Sequence, residues 1–176
     1  MGELAALTAA LAWAVAVSLI RLVPVSMPAS RMNSIRLLAP AIATPVLMFA
    51  TGMQGEFMEL RWQNFAALAV SVVTSVGAGD ILLFRAMRTI GLVRSYTIGG
   101  TFPLFGLFYA ALLLGERVGG LAIAGTLLIV GGGALVSARS ATDEPVPTRS
   151  RWAYRRGLVL SLIVAMMWGI DLVLLK

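Results

Sequence analysis

Residues 2–21 read GELAALTAALAWAVAVSLIR, and residues 157–176 read GLVLSLIVAMMWGIDLVLLK. Laid over each other they match at Gly2/Gly157, Leu7/Leu162, Ala10/Ala165, Trp13/Trp168 and Leu19/Leu174, and both close on a basic residue, Arg21 or Lys176. Spaced Gly and Trp are rarer than Leu and Ala, so the correspondence reads as an internal duplication rather than as chance likeness between two apolar segments. On that reading the chain holds one complete unit and the opening helix of a second.

What lies between the two copies decides the class. Apolar residues make up 59% of the chain and charged residues 12%, about half the charge of an ordinary soluble domain. Mean hydropathy is +0.91, more apolar surface than a soluble core absorbs. Windows almost free of charge occur at residues 4–20, 37–55, 62–79, 95–114, 118–138 and 157–170. Each is near or above the roughly 18 residues that cross a hydrocarbon layer about 30 Å thick. The expectation is an all-α membrane protein with six transmembrane helices, packed in a lipid bilayer. The first window is not a signal peptide, because Glu3 stands where a positive region is needed and the apolar run continues through Trp13 to Ile20.

Between these windows the polar residues mark turns. Helix one ends at Arg21, Pro24 and Pro28; helix two, from about Ser34 to Ala50, carries Pro40 and Pro45; helix three runs from about Trp62 to Phe84. Helix four covers roughly Val93 to Leu114, Gly115-Glu116-Arg117 turns the chain, and helix five follows from about Val118 to Ala138. The domain reading is a first five-helix repeat at 1–138, a basic polar linker at 139–156 and the first helix of a second repeat at 157–176.

Assigning alternate loops to one side gathers Arg21, Arg31, Arg36, Arg85, Arg88, Arg94 and the five arginines of 139–156, and leaves Arg61, Arg117 and Lys176 on the other. The positive-inside rule makes the first group cytoplasmic, with the N-terminus outside and the linker inside, in the cytoplasmic membrane. Five spans per unit also mean that the second copy starts from the opposite face. The repeat is inverted, an arrangement recurrent in secondary transporters. The arginines are dealt out among short loops rather than gathered with aromatics on one face, so the net charge of +6 reports topology and not a nucleic-acid partner.

The stretch Phe84-Arg85-Ala86-Met87-Arg88, Pro103 within helix four, Gly115-Glu116, then Gly125 and Gly131-Gly132-Gly133 in helix five together resemble one EamA repeat of the drug/metabolite transporter superfamily. Trp13 and Arg36 fit the same pattern. No single motif is specific; their order across five spans carries the resemblance. It implies a ten-helix bundle of two inverted five-helix halves that moves small metabolites through a central cavity by alternating access. About four more helices would then follow Lys176, so a longer protein, or a second copy of the chain, is the expected packing partner. The resemblance also implies cytoplasmic termini, against the arginine count.

Candidate substrate-cavity residues are those whose chemistry is costly in a membrane. Asp80, near one end of helix three, either faces a cavity or pairs with Arg85 or Arg88 at the interface, and the latter is the plainer expectation. Asp171 lies between Ile170 and Leu172 in helix six. Arg36 either meets a substrate carboxylate with two parallel hydrogen bonds or snorkels to lipid phosphate. Trp13 and Trp168 line a cavity or simply pack. In helix four, Thr97, Gly99, Gly100, Thr101 and Pro103 predict a kink that turns carbonyls and the Tyr96 and Thr101 hydroxyls toward a cavity, or a packing kink without a ligand. Glu116 is expected to stabilise the start of helix five through the helix dipole, with Gly115 as its turn. Gly125, like the four-residue stripe Ala67, Ser71, Ser75 and Gly79, is expected to serve close helix packing.

The function expected is a secondary carrier, an exporter of small organic metabolites or drug-like compounds. The alternative is a membrane subunit that packs helices and moves nothing, or an inactive half-transporter. Enzymatic chemistry lacks a nucleophile-base set, because the chain has no Cys, no His and only lone carboxylates in separate spans. The same absences remove the usual soft metal ligands, and no sequence feature implies a cofactor or a nucleotide-binding loop. The small multidrug branch of the superfamily uses an acidic residue within helix one; residues 4–20 have none.

Overall fold

The computed structural model describes residues 2–20, 27–143 and 150–174, and all regular structure among them is helical. Helix α1 (Gly2–Ile20) is followed by α2 (Ala29–Thr51), which starts directly after Pro28 and ends at Gly52 in the left-handed conformation, φ 75°. Pro40 and Pro45 lie inside α2 without ending it. A short α3 (Gln54–Met58) leads to α4 (Trp62–Ser71), a π-helical segment (Val72–Gly79) and α5 (Asp80–Ile90), which form one span from Trp62 to Ile90. This span passes the expected end at Phe84 because no breaker occurs before Gly91, whose φ of 91° favours glycine. Then come α6 (Leu92–Gly99), α7 (Phe102–Leu114), α8 (Gly120–Asp143) and α9 (Arg151–Leu174).

Among the described residues four helical stretches are long and apolar enough to cross a membrane: Ala29–Thr51, Trp62–Ile90, Leu92–Leu114 and Arg151–Leu174. The first and fifth expected spans hold shorter apolar stretches, Leu7–Leu19 and Gly120–Leu135. The chain is an all-α membrane protein, and α1, α2 and α8 leave many large apolar side chains exposed, Leu7, Ile42 and Leu128 among them.

Helix α9 is the best packed element, lying against α5, α6, α7 and the π segment. Its glycines explain how. A Cβ on Gly169 would stand 3.0 Å from the Phe102 carbonyl oxygen and from the Gly106 nitrogen, and one on Gly157 would stand 2.7 Å from Ile90 Cγ2. At Gly169 backbones therefore meet, and at Gly157 the Thr89 and Ile90 side chains reach the helix backbone, the close small-residue packing expected in lipid. Of the stripe Ala67, Ser71, Ser75 and Gly79, the last three are buried and Ala67 is half-buried, with Gly79 against the Trp168 indole. Leu83, Phe84, Ala86, Ile90, Val164 and Ala165 complete the core. Gly125 and Gly131 to Gly133 differ: a Cβ there would meet nothing within 4 Å.

Helix four is interrupted at Gly100 and Thr101, where the kink is expected. Its α6 half ends at Gly99, the Gly100 N–H donates to the Tyr96 carbonyl (2.7 Å), and α7 restarts at Phe102. Pro103 thus sits in the first turn of α7, where its missing N–H costs no hydrogen bond. The polar stretch 139–156 is helical at both ends, since α8 runs to Asp143 and α9 starts at Arg151; Pro145, the first breaker, lies beyond Asp143 outside the described residues.

Candidate functional site

Five helices, α1, α2, α5, α7 and α9, bring a charged pair and a set of rings together. Arg36 lies seven residues into α2, about 10 Å from its start, and Asp80 lies ten residues before the end of α5, about 15 Å from it. Both are inside apolar spans. Arg36 Nη2 donates to Asp80 Oδ2 in an ion pair whose carboxylate side chain is 2% exposed and whose guanidinium is 21% exposed. This corrects the two plainer expectations. Asp80 does not pair with Arg85 or Arg88, and Arg36 does not snorkel to lipid. Five residues of helix separate Asp80 from Arg85 and turn them to different faces, so Asp80 faces α2 while Arg85 is exposed.

Aromatic faces surround the guanidinium. Its carbon stands 5.2 Å from the Trp13 ring centroid and 5.9 Å from that of Phe84, within the range of cation–π attraction, which is strongest where water is excluded. Trp13 in turn meets Trp168 edge to face at 6.3 Å, and Trp168 meets Phe102 in the same manner at 6.0 Å. Gly79 and Gly99 make room for the Trp168 indole; a Cβ on either would lie 3.3 or 3.5 Å from its ring atoms. The tryptophans that correspond in the sequence repeat therefore touch each other. Trp13 is 47% exposed, so the ring cluster is open on the α1 side.

A second feature lies between α6 and α8, and Tyr96, which also packs against the buried Phe84, borders both it and the ion-pair site. Leu92, Val93, Tyr96, Thr97 and Gly100 face Ile129, Val130, Gly132, Gly133 and Ser137 of α8 across a cleft of about 440 Å³. The Thr97 and Ser137 hydroxyls hydrogen-bond across it, and the buried Tyr96 hydroxyl has no hydrogen-bond partner among the described residues. The Thr101 hydroxyl donates to the Ile98 carbonyl at 2.7 Å, three residues back in the chain.

The remaining candidates stand apart. Asp171 is half-buried on α9, its Oδ1 without a partner among the described residues, and it does not join the Arg36–Asp80 pair. Glu116 is exposed and precedes α8 by a Gly119-containing stretch, so it is not in that helix's first turn. It instead follows the left-handed Gly115 (φ 64°) that closes α7, and its N–H donates to the Ala110 carbonyl at 3.2 Å. Helix α8 starts at Gly120 instead, with the Gly119 carbonyl accepting from the Ala122 and Ile123 N–H groups at 3.0 and 3.2 Å as an N-cap residue does.

Residues that sequence reasoning passed over are Asn33, Phe84 and Phe102. Asn33 is 4% exposed and donates from Nδ2 to the Val76 carbonyl at 2.8 Å. Its three-residue spacing from Arg36, and the four-residue spacing of Asp80 and Phe84, put each pair on one helix face; that was the available signal.

Residues 1–138 match the EamA-like transporter family. This chain belongs to that family. No curated protein and no solved structure matches it. The EamA-like family is one of membrane transporters of small molecules, not of enzymes.

Proposed function

We propose that this EamA-like chain supplies one five-helix unit, residues 1–138, and the first helix of a second, inverted unit in a ten-helix secondary carrier that exports small organic metabolites or drug-like compounds by alternating access. The observation that carries the reading is the contact of Trp13 with Trp168 over the buried Arg36–Asp80 pair. Residues related by a repeat touch only near the axis that relates the two units, and transporter sites lie at that interface near the bilayer midplane. The family match ends at residue 138, where the sequence places the end of the first unit, and α9 beyond it packs into α5–α7. With the arginine-rich loops cytoplasmic, the segment before α9 is inside and the N-terminus outside.

Efflux of a panel of metabolites and dyes from cells that express the longest natural form tests this. Trp13→Ala and Trp168→Ala each remove ring contacts of about 1 kcal/mol, so an export substrate should lose about fivefold in apparent affinity with each. Equal export by wild type and both variants, at equal membrane expression, would remove the site from the transport path.

A further inference from the structure

We propose that Asn33 is a positioning residue that sets the register of the third span and so delivers Asp80 to Arg36. In an α-helix the Asp80 N–H would donate to the Val76 carbonyl, four residues back. It donates instead to Ser75, five residues back, closing the π-helical segment. The Val76 carbonyl that it leaves receives the Asn33 side-chain amide at 2.8 Å, and the Gly77 carbonyl lies 3.5 Å from the same nitrogen. Asn33 takes the place of the Asp80 backbone donor.

The exchange decides where Asp80 points. A π turn holds one residue more than an α turn, so reverting to α geometry would rotate the rest of the span by about 100° about the helix axis. Asp80 is the first residue after the segment. Held as it is, its carboxylate points at α2, where Arg36 sits three residues beyond Asn33. Amide and guanidinium therefore grip the span at two points one turn apart, the first on backbone and the second on side chain. In lipid no water replaces a lost donor, so an unmatched Val76 carbonyl would draw the Asp80 N–H back and swing the carboxylate off Arg36. The amide also leaves its own Oδ1 buried without a partner among the described residues. It is thus a poor choice for stability alone and a fitting one for register.

The role in transport rests on the carrier reading above; the register does not. The chain has no cysteine, so Arg36→Cys/Asp80→Cys can be bridged in membranes by a short bifunctional thiol reagent. Bridging should proceed with Asn33 and with Asn33→Gln, which keeps an amide donor. It should fall severalfold or more with Asn33→Leu and with Asn33→Asp, which keep the volume but offer the carbonyl no donor. Equal bridging in all four backgrounds overturns the proposal. In export assays Asn33→Leu should lose about 100-fold, the scale of a misplaced functional group, and Asn33→Leu/Asp80→Asn should do no worse than Asp80→Asn alone. Multiplying losses also overturn it. If no form exports any compound, the carrier reading fails while bridging still judges Asn33.

Discussion

Removing one partner from the Arg36–Asp80 pair should cost more than removing both, and the two single removals should differ. Arg36→Met strands a carboxylate that is 2% exposed; breaking a buried pair this way costs about 3–5 kcal/mol. Asp80→Leu strands a guanidinium that is 21% exposed and faces the Trp13 and Phe84 rings. Cation–π attraction of about 1–2 kcal/mol and partial solvation offset part of its loss, leaving about 2–3 kcal/mol. In Arg36→Met/Asp80→Leu no charge remains to strand, so stability should return to within about 1 kcal/mol of wild type. The coupling energy from the cycle is then about 4–7 kcal/mol, far above what a solvated pair gives. Unfolding of purified protein in mixed micelles, followed by near-ultraviolet circular dichroism against denaturant, reads all four forms. Additive losses in the double variant would refute the reasoning, since they mean that the two groups do not neutralise each other. Export should be lost in all three variants, which separates the pair's role in function from its role in stability.

Other expectations rest on the same geometry. Gly169→Ala should destabilise the α7–α9 contact by about 1–3 kcal/mol, because the new Cβ meets backbone atoms at 3.0 Å that cannot turn aside, whereas Gly132→Ala, with open space around it, should change micellar unfolding by less than about 0.5 kcal/mol. Gly100→Leu places a Cβ 3.0 Å from the Tyr96 carbonyl at the α6–α7 break and should abolish export without loss of membrane insertion; preserved export makes the break a packing feature alone. A cysteine at Trp152, which is exposed within the 139–156 stretch at the start of α9, should resist impermeant thiol reagents in intact cells, and one at Met58, exposed between α2 and α4, should react. The opposite pattern reverses the proposed orientation.

The fold class was legible because bilayer thickness imposes long apolar windows that composition reveals directly. The break near Gly100 and the burial of Ser71, Ser75 and Gly79 were legible too, for glycine and small residues act locally. The Arg36–Asp80 pair was not. Its members are 44 positions apart, and Asp80 has arginines five and eight residues away whose nearness in sequence makes them the obvious partners. Nor does the π segment announce itself, since Val72–Gly79 is as compatible with an α-helix and only Asn33, from another span, tips the choice. Glu116 misled for a related reason: it directly follows the left-handed Gly115 that closes α7, and α8 starts only at Gly120, after Gly119 has supplied its first acceptor. Local rules place elements, while side chains from distant spans set register and pairing.

Alternating access at the ring cluster is tested most directly by a cysteine at Phe102, the half-buried ring that meets Trp168 edge to face, in a chain without cysteines of its own. Impermeant thiol reagents applied to right-side-out and to inside-out vesicles of the longest natural form should label it from both faces, with each labelling slowed by an exported compound. Labelling from one face only, or from neither, would contradict the account.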